Sequence, residues 1–261
     1  AEIHQLGLSN IPQVIFWRKI MNLHKDSCLV NVHSNRTILA TWHAPTWHGY
    51  GPEEKGKILD SFKRLNGIVD SPRIVGTMGK SFFYDFEKVA PKIPLGVQEF
   101  ENNGVDGWYA KAILLIESPG RLSGKSPVGA YGPFQLMPYV GKQYGLHVGG
   151  VNDERANLER SAYAAAMLVK KICVPMTEKM LQNRMICYST DELWFKMLVL
   201  HTYHAGAGNV MAALNKLQPT EGGMKLLQQL WQTEAGGFRN ASQNYSQIAL
   251  AANLRLAEEI R

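Results

Sequence analysis

Glu117 is placed in this sequence where a carboxylate could transfer protons. It ends the segment 111–117, whose residues from Ala112 to Ile116 are all apolar, so a helix here would be enclosed on every side. Ser118-Pro119-Gly120 then stops the helix, because proline cannot continue it and glycine tolerates the turn. The low dielectric and the negative end of the helix dipole both disfavour a charged carboxylate there. We therefore expect Glu117 to act as a general acid, with a solvated or salt-bridged surface glutamate as the alternative.

The chain after Glu117 is rich in glycine and proline and is expected to form an irregular loop. Three small residues in it would let a ligand come close to the backbone: Gly129, Ala130 and Gly132. Met137 precedes a proline and is expected to be extended, with Pro138 at the first position of a new helix. Gln135 is then expected on an extended segment, where its amide could bond a ligand. A loop that only links two helices is the alternative.

Two motifs of this sequence resemble the signature of the soluble lytic transglycosylases of the lysozyme superfamily. The first consists of Glu117-Ser118, Ser126-Pro127, Gly129-Ala130, Gly132 and Gln135-Leu136-Met137-Pro138. The second, His201-Thr-Tyr203-His204-Ala205-Gly206-Ala-Gly208-Asn209-Val210, is similar to the family's alanine-tyrosine-asparagine-alanine-glycine motif. The resemblance covers 104–261 and implies a lysozyme-like fold for that part of the chain.

The resemblance implies a role for each residue that matches a motif. Glu117 would be the single catalytic acid and base. Tyr203 would be the second catalytic residue, beside Glu117 across the cleft, with a buried structural tyrosine as the alternative. Substrate binding would fall to Ser126, Gly129, Ala130, Gln135, Met137 and His204, with Ser126 and Gln135 in the muramyl subsite. Three departures from the family's pattern bear on substrate preference: His204 replaces asparagine, Thr202 replaces alanine and Pro133-Phe134 replaces leucine-methionine.

A second carboxylate is missing beside Glu117. Ordinary glycosidases use two carboxylates, about 5–5.5 Å apart in retaining enzymes and further apart in inverting ones. The nearest acidic residues in sequence, Asp106 and Glu101, lie too far back along the chain for that spacing. The resemblance instead implies that the substrate supplies the nucleophile: its N-acetyl group assists the leaving group, and its C6 hydroxyl then closes a 1,6-anhydro ring.

The reaction that this resemblance implies is non-hydrolytic cleavage of the β-1,4 bond between MurNAc and GlcNAc in peptidoglycan. It needs no cofactor and no metal. The alternatives are a lysozyme-type hydrolase on the same fold and a non-catalytic peptidoglycan-binding protein.

Composition and charge leave the partner undecided. The net charge of +6 comes from scattered basic residues without a nucleic-acid motif, so we expect no nucleic acid as the partner. The resemblance implies peptidoglycan glycan strands, whose carboxylates a basic surface would attract. No apolar run reaches the length of a membrane span, so we expect no integral membrane segment, and a monomer. The sequence shows no signal peptide and no initiator Met, so we expect it to begin after processing or at an artificial boundary. The substrate implies a periplasmic, cell-envelope or secreted location.

The predicted fold class is α+β and mainly α-helical, with a lysozyme-like catalytic domain over 101–261 and a small N-terminal α+β region of unknown role over 1–100. Helices are predicted in the N-terminal region at 11–23, 52–66 and 81–89, and strands at 29–33, 37–42 and 73–77. In the catalytic part, one helix is predicted from 152 to Pro175 and a second one leads up to Tyr203. Further helices are predicted at 209–217, 224–233 and 246–259.

Two groups of residues leave alternatives open. Trp42-His43 and Trp47-His48 border an aromatic loop, 44–50, without a carboxylate or cysteine at ligand spacing, so we expect no metal there. The loop could stack on sugar rings or simply pack inside the protein. Of the three cysteines, Cys173 and Cys187 could form a disulfide, or all three could be separate thiols.

Overall fold

A computed structural model describes residues 6–69, 72–117 and 124–259. They form two compact units: the described residues up to Asp85 together with Ala257–Glu259, and Phe86–Leu256. The second unit contains Glu117 and Tyr203. Helices dominate and a single three-stranded sheet is described, which confirms the predicted α+β, mainly α-helical class. The division into domains 1–100 and 101–261 stays a prediction.

The first unit is built around an antiparallel sheet with strand order β2-β1-β3. Its strands are β1 (Ser27–Val32), β2 (Ile38–His43) and β3 (Ile74–Met78). Its helices are α1 (Pro12–Asn22), α2 (Ala44–Gly49) and α3 (Pro52–Leu65). The central strand β1 is buried along almost its whole length, because both of its neighbours bond to it and both of its faces are covered.

The aromatic segment 44–50 is a short helix, α2, and not the loop expected from the sequence. Trp47 is only 6% exposed, and its indole lies so close to Gly76 that a Cβ there would be 2.5 Å from Nε1. Trp42 packs edge-on against both Trp47 and Phe62. The aromatic side chains therefore fill one side of the sheet, which supports the packing alternative.

The histidines of this segment have partners close by. His43 Nδ1 lies 2.9 Å from the Thr46 hydroxyl, and His48 Nε2 lies 3.3 Å from the Met78 sulfur. Among the residues with described positions, no three histidine, cysteine, aspartate or glutamate side chains form a cluster that could hold a metal ion.

The described residues of the second unit are mainly helical. Its helices are α4 (Phe86–Val89), α5 (Ile93–Asn102), α6 (Gly107–Glu117), α7 (Pro138–Gln143), α8 (Leu158–Leu168), α9 (Val174–Gln182), α10 (Leu193–Ala205), α11 (Ala207–Leu217), α12 (Met224–Leu230) and α13 (Ala241–Glu259), whose last residues belong to the first unit. The middle residues of α6 and α10 have no exposed surface, because apolar side chains surround both helices.

Several helix predictions were wrong at their ends, including the helix predicted over 224–233, which ends at Leu230. The helix predicted from 152 to Pro175 begins at Leu158 and continues through a π-helical turn, Val169–Cys173, into α9. Pro175 lies just after this π-helical turn, in the first turn of α9, and does not end the helix. The helix predicted over 81–89 is formed only at Phe86–Val89, and α13 begins at Ala241 instead of 246.

No helix within the described ranges is both long and apolar enough to cross a membrane. The three cysteines are free thiols, with Cys28 and Cys173 buried and Cys187 exposed. The disulfide alternative is therefore absent from this structure.

His201 of α10 is fully buried at the centre of the second unit. Its Nε2 lies 2.7 Å from the hydroxyl oxygen of Ser246 in α13, which also accepts a 2.8 Å bond from the indole N–H of Trp231. Burial, with a smaller effect from the charge that His204 can carry, lowers the pKa of His201 to about 3. The ring is therefore a neutral hydrogen-bonding group in the core.

Acid should destabilise the protein through His201. Its pKa is about 3 in the folded chain and about 6.5 when exposed, so the unfolded chain binds the extra proton as the pH falls below about 6.5. This one group then removes up to about 1.4 kcal/mol of stability per pH unit. Unfolding measured from pH 7 to 4 should show a smaller acid loss in His201→Gln than in the unchanged protein.

The matched control is His147→Gln, which changes an exposed histidine of the same unit. It should keep the acid loss of the unchanged protein. An identical pH dependence in His201→Gln would contradict the buried neutral assignment.

Candidate active site

Glu117 is the last residue of α6 and reaches the surface at the end of an otherwise buried helix. Its side chain is 19% exposed, whereas Ala112 through Leu115 have no exposed surface. The predicted position at the end of an enclosed helix is confirmed. The predicted stop at Ser118-Pro119-Gly120 lies outside the described residues.

Tyr245 of α13 fixes the carboxylate of Glu117. Its hydroxyl donates a 2.8 Å hydrogen bond to Oε1 of Glu117, and its ring is only 3% exposed. Burial and the neighbouring carboxylate raise the pKa of Tyr245, so its hydroxyl stays protonated and acts as the donor. Among the described residues no donor reaches the second oxygen, Oε2, which leaves that oxygen to exchange a proton with a ligand.

His204 lies beside the same carboxylate. Its Nδ1 is 3.9 Å from Oε1 of Glu117, and its ring stacks on Tyr245 with centroids 4.4 Å apart. The His204 side chain is 29% exposed. It therefore offers a polar ring edge next to Glu117 where a ligand could reach it.

Tyr203 anchors the loop that follows Glu117. Its hydroxyl donates a 2.7 Å bond to the backbone carbonyl of Phe134. Burial, and next the charge of Glu117, raise the pKa of Tyr203, so this hydroxyl also stays protonated. The structure thus places Tyr203 near Glu117, but the Tyr203 hydroxyl donates its hydrogen bond to the loop and not to Glu117.

The loop 124–137 is held by its own hydrogen bonds. Tyr131 and Leu136 exchange two backbone bonds of 3.1 Å. The Ser126 hydroxyl accepts a 2.9 Å bond from the Ala130 N–H. Phe134 is fully buried and stacks on Phe100 of α5, with centroids 5.6 Å apart. The loop is therefore one preformed wall beside the candidate site.

Gln135 is not on an extended segment, as the sequence suggested, but in the left-handed region with φ 46°. Its amide nitrogen donates to the carbonyls of Gly124, at 2.7 Å, and Gly132, at 2.9 Å. The N–H of Gln135 also donates to the carbonyl of Gly132, at 3.0 Å, so backbone and side chain together close the loop. Met137 is extended and Pro138 begins α7, as predicted.

The three small residues of the loop differ in what lies next to their backbone. A Cβ at Gly132 would lie 1.7 Å from the carbonyl oxygen of Arg155, so the close approach there is by the protein's own backbone. A Cβ at Gly129, where φ is 91°, would meet nothing closer than Pro138 at 3.9 Å, which leaves the Cα side of this residue more open. Ala130 is 9% exposed.

Arg155 is the main internal support of the loop. It is 3% exposed and donates 2.9 Å bonds to the carbonyls of Gly129 and Leu136. Its other nitrogens bond both oxygens of Asp153, at 3.0 and 2.7 Å. These bonds hold the pKa of Asp153 below its usual range, against the raising effect of burial.

Sequence reasoning missed Tyr245 and Arg155. Tyr245 stands just before the predicted helix 246–259, in a run of polar residues with no motif around it. Arg155 stands in an Asn-Asp-Glu-Arg run that is typical of a helix start. The only available signal was Asp153, a possible ion-pair partner two positions before Arg155.

Comparison with known families gives a match for the central part of the chain. The transglycosylase SLT domain family matches residues 97–226. The matched segment includes Glu117, the loop 124–137, Tyr203 and His204, whereas Tyr245 lies beyond its end. No curated protein matches the sequence.

Arg155→Met should loosen the loop. The change removes the donors to Gly129 and Leu136 and leaves the Asp153 carboxylate buried without its cation, which typically costs about 3–5 kcal/mol. Hydrogen exchange at the paired amides of Tyr131 and Leu136 should become much faster, and thermal unfolding should occur at lower temperature.

Two further variants test the reason for that effect. Adding Asp153→Asn should restore part of the lost stability, since it removes the uncompensated charge. Arg160→Met, which removes a half-exposed ion pair with Glu154, should cost less than about 1 kcal/mol. Equal losses for Arg155→Met and Arg160→Met would contradict the role given to Arg155.

Proposed function

This chain belongs to the transglycosylase SLT domain family through residues 97–226, and we propose that it cleaves the β-1,4 bond between MurNAc and GlcNAc without water. The family membership supports a peptidoglycan-acting, lytic transglycosylase-type activity in general. The finer proposal is a 1,6-anhydro-muramyl product formed with Glu117 as the single acid and base.

The observation that carries this proposal is the state of the Glu117 carboxylate: Tyr245 holds one oxygen, and no donor among the described residues reaches the other. The charge of Glu117 also contributes to the raised pKa of both Tyr203 and Tyr245. The segment 118–123 contains no Asp or Glu, so it cannot supply a second acid. A two-carboxylate hydrolase would need a partner roughly 5–10 Å away. The arrangement favours a reaction in which the substrate provides the nucleophile.

In the first step of the proposed reaction, protonated Glu117 gives its proton from Oε2 to the glycosidic oxygen. The carbonyl oxygen of the muramyl N-acetyl group bonds to C1 as the C1–O bond breaks, and the GlcNAc hydroxyl leaves. The Tyr245 hydroxyl stabilises the new carboxylate through its bond to Oε1.

In the second step the Glu117 carboxylate takes the proton of the C6 hydroxyl of the same sugar. That oxygen bonds to C1 and displaces the acetyl oxygen, which restores the N-acetyl group. Glu117 is protonated again, and no water has been consumed. One residue thus acts as acid and then as base.

The remaining site residues keep their proposed roles in substrate binding. They are Ser126, Gly129, Ala130, Gln135, Met137 and His204. Ser126 and Gln135 would act mainly by shaping the wall, since their side chains bond the loop itself. Gly129 and His204 are the better candidates for direct contact, because the backbone of one and the ring of the other are accessible.

The proposed substrate sets the location and partners. Peptidoglycan lies outside the cytoplasm, so we place the chain in the periplasm, in the cell envelope or outside the cell. Its partner would be the glycan strand, and the reaction as written uses no cofactor.

Glu117→Gln should abolish cleavage while leaving the fold intact, because glutamine keeps the shape of the side chain but cannot give or take the proton. The measurement is mass spectrometry of muropeptides released from purified peptidoglycan. The unchanged protein should release products that lack one water at the muramyl end. Glu159→Gln, the same change at an exposed glutamate of α8, should release them as well.

Other outcomes select the alternatives. Reducing-end products would mean hydrolysis and would require a second catalytic group. Binding of peptidoglycan without any release would favour a non-catalytic protein. Substantial cleavage by Glu117→Gln would exclude Glu117 as the only acid and base.

The two tyrosines should differ in their kinetic effects. Tyr245→Phe removes a donor to a charged group, which we expect to lower kcat about 10-fold to 100-fold. Tyr203→Phe frees the Phe134 carbonyl and should slow cleavage less, mainly through a higher KM. Steady-state rates on soluble glycan fragments separate the two effects, and unchanged kinetics in either variant would remove that tyrosine from the proposed machinery.

A further inference from the structure

The first unit contains a groove between α1 and the face of the sheet on which that helix lies. It has a volume of about 480 Å³. One wall is a stripe of α1, formed by Ile15, Arg18, Lys19 and Asn22, which are neighbours on a helix because they are three or four positions apart. The other wall is Leu29 and Thr41, which are paired across β1 and β2. Leu23 closes the end after α1.

The two cations of this groove, Arg18 and Lys19, can each bind an anion in addition to the contacts that they already make. One terminal nitrogen of Arg18 pairs with Glu258, but its Nε–H is buried and meets no acceptor among the described residues. Lys19 is exposed and forms no ion pair with a carboxylate in the described ranges. A guanidinium and an ammonium that line the same groove attract a carboxylate, and a buried donor without an acceptor is stabilised when one arrives.

Apolar surface lies next to these charges. Leu29 is 2% exposed and forms the floor, while Ile15 is 37% exposed and forms the rim. The groove therefore combines two cations with a short apolar lining. This combination fits a carboxylate that is attached to a small apolar group, as at the end of a peptide with methyl side chains.

We propose that this groove binds the free carboxylate end of the stem peptides of peptidoglycan. The choice of peptide rests on the proposed function, because the wall that such an enzyme cleaves carries short peptides with free carboxylates. The Arg18 guanidinium and the Lys19 ammonium bind the carboxylate, and Ile15 and Leu29 contact the terminal side chains. The first unit is thereby a wall-binding module.

The test uses the full chain and the tripeptide diacetyl-L-Lys-D-Ala-D-Ala. Binding is followed by calorimetry or by NMR shifts of groove residues, at low salt and again at high salt. The same tripeptide with a C-terminal amide, which lacks the negative charge, should bind at least about tenfold more weakly. Inorganic phosphate should not displace the peptide at equal concentration, because it lacks the apolar group.

Variants assign the binding to the groove. Lys19→Gln should weaken binding about threefold to tenfold, and Arg18→Gln about tenfold or more. Lys25→Gln, an exposed lysine that does not line the groove, should leave the affinity unchanged. Since Arg18 also pairs with Glu258, thermal unfolding of each variant checks that the unit still folds.

Equal binding of acid and amide, absence of binding, or full affinity in Lys19→Gln and Arg18→Gln would each overturn the proposal. Cleavage of glycan strands freed of their peptides is measured separately. If these naked strands are cleaved to anhydro products while the tripeptide does not bind, the proposed function stands and the groove assignment fails. If the tripeptide binds but no strand is cleaved, the groove assignment stands for a binding protein.

Discussion

The hydrogen bond from the Tyr245 hydroxyl to Oε1 of Glu117 is the contact on which the candidate site depends. It joins the end of α6 to the first turns of α13, two helices that lie far apart in the sequence of the second unit. A carboxylate at the end of a buried helix has few ways to be held, because apolar neighbours offer no donors. A buried tyrosine whose hydroxyl cannot ionise supplies one donor and leaves the other carboxylate oxygen open. The same ring carries His204 on its face, so one side chain positions two polar groups.

Packing in the core makes that contact possible. His201, Ser246 and Trp231 form a buried chain of hydrogen bonds that ties α10 and α13 together. Because His201 and His204 are three positions apart, they lie on the same side of α10. Fixing the buried His201 against α13 therefore also fixes His204 and Tyr203 at the end of the helix. The positions of His204 and Tyr203 therefore depend on a buried polar cluster that takes no part in the proposed chemistry.

The loop 124–137 shows a second form of internal support. Its backbone has a positive φ at Gly129, Gly132 and Gln135, which costs energy only at Gln135, because glycine adopts this region freely. Arg155 satisfies two of its carbonyls from inside, Tyr203 satisfies a third, and Gln135 bonds two more. Most of the polar side chains in this region are used to build the wall. This leaves Glu117 as the group with free capacity for a ligand, in keeping with the proposed single-carboxylate chemistry.

The sequence by itself determined the elements that local rules control. The enclosed helix before Glu117, the start of α7 at Pro138, the strands of the first unit and the mainly helical class all follow from apolar patterns and from proline and glycine. The spacing of the two motifs also indicated the family. Local rules failed at two places: Pro175 follows a π-helical turn instead of ending the helix, and the aromatic segment 44–50 contains a short helix that buries Trp47. Tertiary structure alone decided the partners of Glu117, since a tyrosine and an arginine without a motif become functional only when folding brings them to a distant carboxylate or loop. Side-chain hydrogen bonds between residues far apart in sequence leave no periodic signal, and for that reason Tyr245 and Arg155 could be found only in the folded chain.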